Sequence, residues 1–163
     1  MDLVSQKFSP AEIERLIGLV PATLRGYRHR DLLKGFGEEQ PNGRWLYSGT
    51  EILTMALGLH LEKTGIDLRY AFWIGWQVVP SVLFEINHDP DYEGFHVPLW
   101  AFWTVHAGNP KIRTQGFALQ WQPIKSLADF EEIGSTACTV VSSRELARHV
   151  PAAMVEYISG GNA

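Results

Sequence analysis

The stretch SPAEIERLIGLVPATLRGYRHR, residues 9–30, decides the fold. Ser9, Pro10 and Glu12 write a helix start in three ways: serine can cap, proline suits the first helical position, and glutamate can close a capping box. Ile13, Leu16 and Ile17 then fall on one apolar face, and Gly18 supplies a left-handed stop after about Ile17. Pro21 restarts a helix after the three-residue turn Gly18-Leu19-Val20, which is the spacing of a helix-turn-helix. In the second helix Leu24 and Tyr27 share one face, while Arg25 and Arg28, also three apart, share another. The apolar face is expected to dock on the first helix and the arginines to point outward.

Downstream, KGFGEEQPNGRWLYS (34–48) predicts two short strands, around residues 34–36 and 44–47, on either side of a loop holding Pro41, Asn42 and Gly43. A hairpin directly after a helix-turn-helix is a wing. Ser48 or Thr50 starts a third helix, whose stripe of Ile52, Leu53, Ala56, Leu57, Leu59, His60 and Leu61 extends to Gly65. Asp67 can cap a fourth, continuing through Tyr70, Ala71 and Ile74. Pro80 is expected to end it by about Val79.

The chain has 163 residues, 45% of them hydrophobic, and a formal charge of −4. Such a length suits one domain or two small ones with a real core. Charge acts through its distribution: residues 1–80 hold nine Lys/Arg and nine Asp/Glu, whereas residues 81–163 hold five and nine. A basic patch around Arg25, Arg28, His29 and Arg30 is therefore compatible with a net negative chain. No apolar run is long enough to span a membrane and MDLVSQKF lacks signal-peptide character, so the expected compartment is the cytoplasm. The single cysteine, Cys138, is expected to be a buried strand thiol, since β-branched residues follow it.

Beyond residue 80 the pattern turns to short apolar runs: VLFEINH (82–88), VPLWAFWTVH (97–106), GFALQWQPI (116–124) and TACTVVS (136–142). These predict an antiparallel sheet. Ser126-Leu-Ala-Asp can open a short helix, and Ser142-Ser143-Arg-Glu145 a terminal one, with Leu146, Val150, Met154 and Tyr157 on one face and a break at Pro151. A mobile tail is expected from Ser159 onward. The aromatics Trp73, Trp76, Trp100, Phe102, Trp103, Phe117 and Trp121 read first as core and second as pocket walls or an interaction surface.

The polar cluster HDPDYEGFH (88–96) imitates half a calcium loop, but its twelfth position is Trp100 where a bidentate glutamate is required. His88 and His96 lack a fixed third ligand, so neither a metal nor another cofactor is expected. No nucleophile elbow, phosphate-binding loop or dinucleotide fingerprint occurs, so an enzyme is not expected.

A helix that enters the major groove needs an outward face of long donors, and arginine offers a bidentate fork for guanine or phosphate. Arg25 and Arg28 meet that need. Thr23, Tyr27 and backbone amides near Pro21 would fix register on phosphates, and His29, Arg30 and Arg44 would add flanking charge. The run VPATLRGYRHRDLL (20–33) resembles the recognition-helix signature of MerR-type winged-helix regulators. GRWLYS (43–48) and TEILTMALGLHLEKTGIDLRYA (50–71) resemble that family's wing and following helices, so the resemblance covers about residues 7–79. It implies that Thr23, Arg25 and Arg28 face DNA, that Tyr27 is the aromatic near the backbone, and that Arg44 lies on the wing. Gly26 stands where the family usually has an aromatic, Asp31 where it prefers glycine, and Trp45 where an arginine is usual. The family's long dimer helix is not expected, because AFWIGWQVVPSVLFEIN contains Pro80 and no sustained heptads.

These readings add up to an α+β chain with a winged helix-turn-helix at residues 1–79 and an antiparallel β-rich sensing or assembly region with a terminal helix at 80–163. The expected function is a prokaryotic-type, sequence-specific transcriptional regulator binding double-stranded DNA. An excisionase-like architectural protein from a phage or recombination system is the near alternative, and a protein-interaction adaptor whose winged helix no longer binds DNA is the distant one. Candidate further partners are a second copy or another protein through the C-terminal half, and a small-molecule effector.

Overall fold

The computed structural model describes residues 3–87, 99–105, 118–124, 129 and 138–160. It is a mixed helix and antiparallel-sheet fold of the α+β class. Strand β1 (Lys7–Phe8) leads into α1 (Pro10–Ile17) and α2 (Pro21–His29). At the start of α1 the Ser9 amide and hydroxyl both donate to the Glu12 carboxylate at 2.7 Å. Those bonds hold the Glu12 carboxyl below its ordinary pKa, the backbone amide contributing most. Gly18 ends α1 at φ 72°, as the sequence predicts. After α2 the chain turns at Asp31, which takes φ 55°; aspartate tolerates this conformation better than most residues.

The first arm of the hairpin starts four positions later than expected, and the second arm one. Strand β2 is Glu38–Glu39, not residues 34–36, and pairs with β3 (Trp45–Ser48), with Glu38 opposite Leu46 and Glu39 opposite Trp45. Residues 31–35 are turn, and the positive φ of Gly35 and Gly37 delays the extended conformation. β3 also pairs with β1, giving the sheet order β1-β3-β2.

Helix α3 (Gly49–Glu62) starts on Ser48, whose amide and hydroxyl donate to Glu51 at 2.7 and 3.0 Å. The other Glu51 oxygen accepts the Gly37 amide at 2.8 Å, so one carboxylate ties the hairpin to the helix that follows it. Helix α4 (Leu68–Asn87) begins on Asp67, whose Oδ1 accepts the Arg69 amide at 3.0 Å. It passes through Pro80 and runs to Asn87, against the expected stop by Val79, and converts most of VLFEINH from predicted strand to helix. Pro80 is tolerated because it lies on the exposed side, as does Trp76, whose carbonyl is the one deprived of a partner. The buried set Ala71, Ile74, Gly75, Val78 and Val82 keeps helical spacing straight across the proline.

Helices α3 and α4 pack closely because two glycines face each other's helix. A Cβ on Gly75 would sit 2.8 Å from the Thr54 carbonyl oxygen, and one on Gly58 would overlap the Phe72 ring.

A second antiparallel sheet has the order β5-β4-β6, from β4 (Leu99–Val105), β5 (Ala118–Ile124) and β6 (Thr139–Ser142). Phe102 lies opposite Trp121 on one side and Thr139 on the other. The sheet meets α4 through an edge-to-face contact of Phe102 with Trp73, centroids 5.8 Å apart. Cys138, just before β6, is exposed rather than buried: the apolar residues beside it belong to the strand, and it does not.

Helices α5 (Ser143–Arg148) and α6 (Ala152–Ile158) follow, broken at Pro151 as expected. Arg144 reaches Glu85 at 3.6 Å, linking α5 to the end of α4. The Tyr157 hydroxyl bonds to Gln6, and its ring meets Phe8 edge-on at 5.1 Å. One core results, in which Ile13, Leu24, Tyr47, Ile52 and Leu57 are continuous with Leu146, Met154 and Ile158. Each such aliphatic side chain contributes about 1.5–3 kcal/mol of burial. The HDPDYEGFH cluster, the Ser126 helix apart from Asp129, the last three tail residues and the side chains of Trp103 and Phe117 lie outside the described residues.

Candidate functional site

A cleft of about 540 Å³ separates α2 from β3. Its helix side is formed by Pro21, Leu24, Arg25 and Arg28, its hairpin side by residues 43–47, and its end by Ser9, Pro10 and Ala11. The floor is apolar and rigid, since Leu24 and Tyr47 are fully buried. Three guanidinium groups, those of Arg25, Arg28 and Arg44, border it, and no carboxylate is among its lining residues. A positive cleft therefore sits on a chain whose net charge is negative.

Local chemistry explains how the cations are held. Val20 caps α2 without a side-chain hydrogen bond, so no side chain competes for the first-turn amides. At the hairpin tip Gln40 donates to the Arg44 carbonyl at 2.7 Å, Gly43 to the Gln40 carbonyl at 2.8 Å, and the Arg44 amide to Asn42 Oδ1 at 3.0 Å. The Arg44 backbone is thus held at both its carbonyl and its amide while its side chain is exposed.

Arg28 is placed differently. It is partly buried, Nη1 donates to the Phe36 carbonyl at 3.0 Å, and the guanidinium carbon lies over the Trp45 ring, 2.9 Å from its centroid. Under this arrangement the Tyr47 hydroxyl is buried and makes no hydrogen bond of normal geometry among the described residues. Burial pushes that phenol above its usual pKa; the neighbouring Arg28 side chain works against the rise, by its hydrogen-bonding proximity first and its charge second, and Glu51 adds to it.

Of the residues predicted to face DNA, the structure gathers Pro21, Arg25, Arg28 and Arg44 around one cleft and leaves the others outside it. Tyr27 packs edge-on against Phe72, centroids 5.9 Å apart. Arg30 folds back on its own helix, with Nε 3.3 Å from the Gly26 carbonyl and its guanidinium 5.3 Å from the Tyr27 ring. Thr23 is half-buried on the first turn of α2, and His29 is exposed at its last residue. Trp45 and Tyr47 are cleft residues that the sequence reading did not assign to the site, although their i, i+2 spacing puts both on one face of a strand.

A second, smaller cleft of about 300 Å³ lies where α3 ends against β6 and α5, and His60, Thr64, Ser142, Glu145 and His149 help line it. Burial lowers the His60 pKa, with His149 and Lys63 contributing in turn. Among the described residues no group of three or more His, Cys, Asp or Glu side chains is arranged to hold a metal ion. No helix among them is long and apolar enough to cross a membrane. Comparison of the chain with the models of known protein families and with the curated proteins finds no match.

Proposed function

We propose that the chain is a sequence-specific DNA-binding regulator that presents α2 to the major groove and the β2–β3 hairpin to the flanking backbone, in the manner of the MerR-type winged helices its sequence resembles. The observation that carries this reading is the cleft between helix and hairpin, bordered by Arg25, Arg28 and Arg44 and free of carboxylates. Phosphates supply most of the affinity of such a contact, and arginine forks supply base reading. An α-helix, about 10–12 Å across with its side chains, also fits a major groove about 12 Å wide, and α2 is a helix of nine residues. Pro21, Thr23, Tyr27, His29 and Arg30 are proposed as the flanking set around these arginines.

Selection from a random duplex pool at several salt concentrations tests the proposal. A reader of DNA enriches a motif, shows a steep salt slope, and loses both in the Arg25→Ala, Arg44→Ala double variant. A flat response that the double variant shares would overturn it and favour the adaptor reading, with the half-exposed Trp76 and Trp121 as the surface to test.

One observation favours the architectural alternative over promoter regulation. The buried face of α4, Ala71, Phe72, Ile74, Val78, Val79 and Val82, is spent on its own chain, and the half-exposed Trp76 alone makes no heptad seam for the family's antiparallel dimer helix. A protein without that dimer holds no two half-sites at fixed separation. Measured bending of a bound duplex, with a motif lacking two-fold symmetry, would assign the excisionase-like role.

A further inference from the structure

Arg25 and Arg28 read from the sequence as two equivalent outward donors, but their surroundings separate them. Arg25 is exposed and has no hydrogen-bond or ion-pair partner among the described residues. Arg28 spends one edge on the Phe36 carbonyl and one face on the Trp45 indole, so a single side chain joins α2, the segment after it and β3. A guanidinium reads guanine or phosphate through that same planar fork. Withdrawing it from Trp45 and Phe36 would expose the indole face and leave a carbonyl unpaired. The buried Tyr47 hydroxyl, which makes no hydrogen bond of normal geometry among the described residues, lies in the same cleft with the Arg28 side chain close by.

We propose that Arg28 is a positioning residue, a strut that sets the separation of α2 from the hairpin, and that Arg25 and Arg44 are the cations left to meet the phosphodiester backbone. The strut is a property of the free protein, whereas the assignment of Arg25 and Arg44 rests on the DNA-binding reading. The mechanical consequence is specific. DNA backbone entering the cleft must engage a helix cation and a hairpin cation together, and the Arg28–Trp45 stack fixes their spacing before DNA arrives.

Two measurements decide it. In the free protein, Arg28→Ala, Trp45→Ala and the double variant are compared by thermal unfolding, with Trp45→Phe as the control that keeps an aromatic face. Each alanine variant is expected to lower Tm by about 2–4 °C. The double variant should fall no further than the larger single loss, and Trp45→Phe should restore most of the wild-type value. Losses that simply add would overturn the strut. With DNA, Arg25→Ala and Arg44→Ala should each reduce the slope of log affinity on log salt by about one. Arg28→Ala should weaken binding about tenfold with the slope and the selected motif unchanged, as Trp45→Ala should. A reduced slope or an altered motif in Arg28→Ala would make it a reading residue and overturn the proposal. Absence of DNA binding by the native protein would defeat the functional reading and the roles of Arg25 and Arg44, and the unfolding cycle would still decide the strut.

Discussion

The imidazoles of His60 and His149 stack 4.1 Å apart, centroid to centroid, and 16° from parallel. The contact joins the last turn of α3 to the residue that ends α5, with Lys63 and Glu145 as the nearby charged groups. Because the folded state lowers the His60 pKa, the imidazole is neutral in both states above its ordinary value of about 6.5, and pH has no leverage there. As pH falls through that value the unfolded chain binds the proton first, so stability should drop until the folded-state pKa is passed. Thermal unfolding between pH 7.5 and pH 5, both rough limits chosen to bracket the ordinary pKa, should show a falling Tm. His60→Gln should flatten the fall, and His149→Gln should reduce it without abolishing it, because burial is the largest cause.

Glu12 acts in a separate and lower window. Its carboxylate is stabilised by the Ser9 amide and hydroxyl, so its contribution is present above the unfolded value and lost as pH drops through the lowered folded one. Glu12→Gln should remove the acid-limb part of the stability profile below about pH 4.5 and leave the histidine-dependent part in place.

Glycines in two environments should respond oppositely to alanine. Gly75→Ala drives a methyl against the Thr54 carbonyl oxygen at the α3–α4 crossing, where backbone cannot yield, and should cost about 1–3 kcal/mol. Gly26, in the middle of α2, has nothing within 4 Å of a built Cβ. Gly26→Ala should stabilise by about 0.5–1 kcal/mol through lower chain entropy in the unfolded state. Denaturant midpoints at constant m-value would check both.

Glu51 is the joint between hairpin and α3. Glu51→Ala removes the acceptor for Ser48 and for the Gly37 amide together, and should cost about 1–2 kcal/mol. Faster hydrogen exchange at Gly37 and along β3 than along α3 would identify a loosened hairpin.

Most of residues 9–62 was legible because its signals are local. Ser9-Pro10-Glu12, Gly18, Pro21 and Ser48 each act within a turn of their own position, and the observed bounds of α1 and α2 follow them. What failed was decided by surroundings. Pro80 was read as a stop because proline removes an amide and crowds a carbonyl, yet on the exposed side that carbonyl meets water, while Ala71 to Val82 bind the helix to the core. Cys138 was judged by its neighbours and lies outside the strand they form. In the site, Arg25 and Arg28 were legible as a pair on one helical face. Their division came from Trp45, which approaches from a strand that only tertiary structure brings near.

Tyr157, near the end of the described chain, rests on Gln6 and Phe8, near its beginning. Core positions in the N-terminal half therefore have partners, Leu146, Met154 and Ile158, that are translated well after them. On the ribosome, at about 5–20 residues per second, the first helices spend several seconds exposed before those partners emerge. Completion of the shared core therefore waits on contacts of long sequence separation, the kind that slow folding. The arginine-bordered cleft, lined by residues 9–47, is thus translated well before the C-terminal helices that complete the shared core.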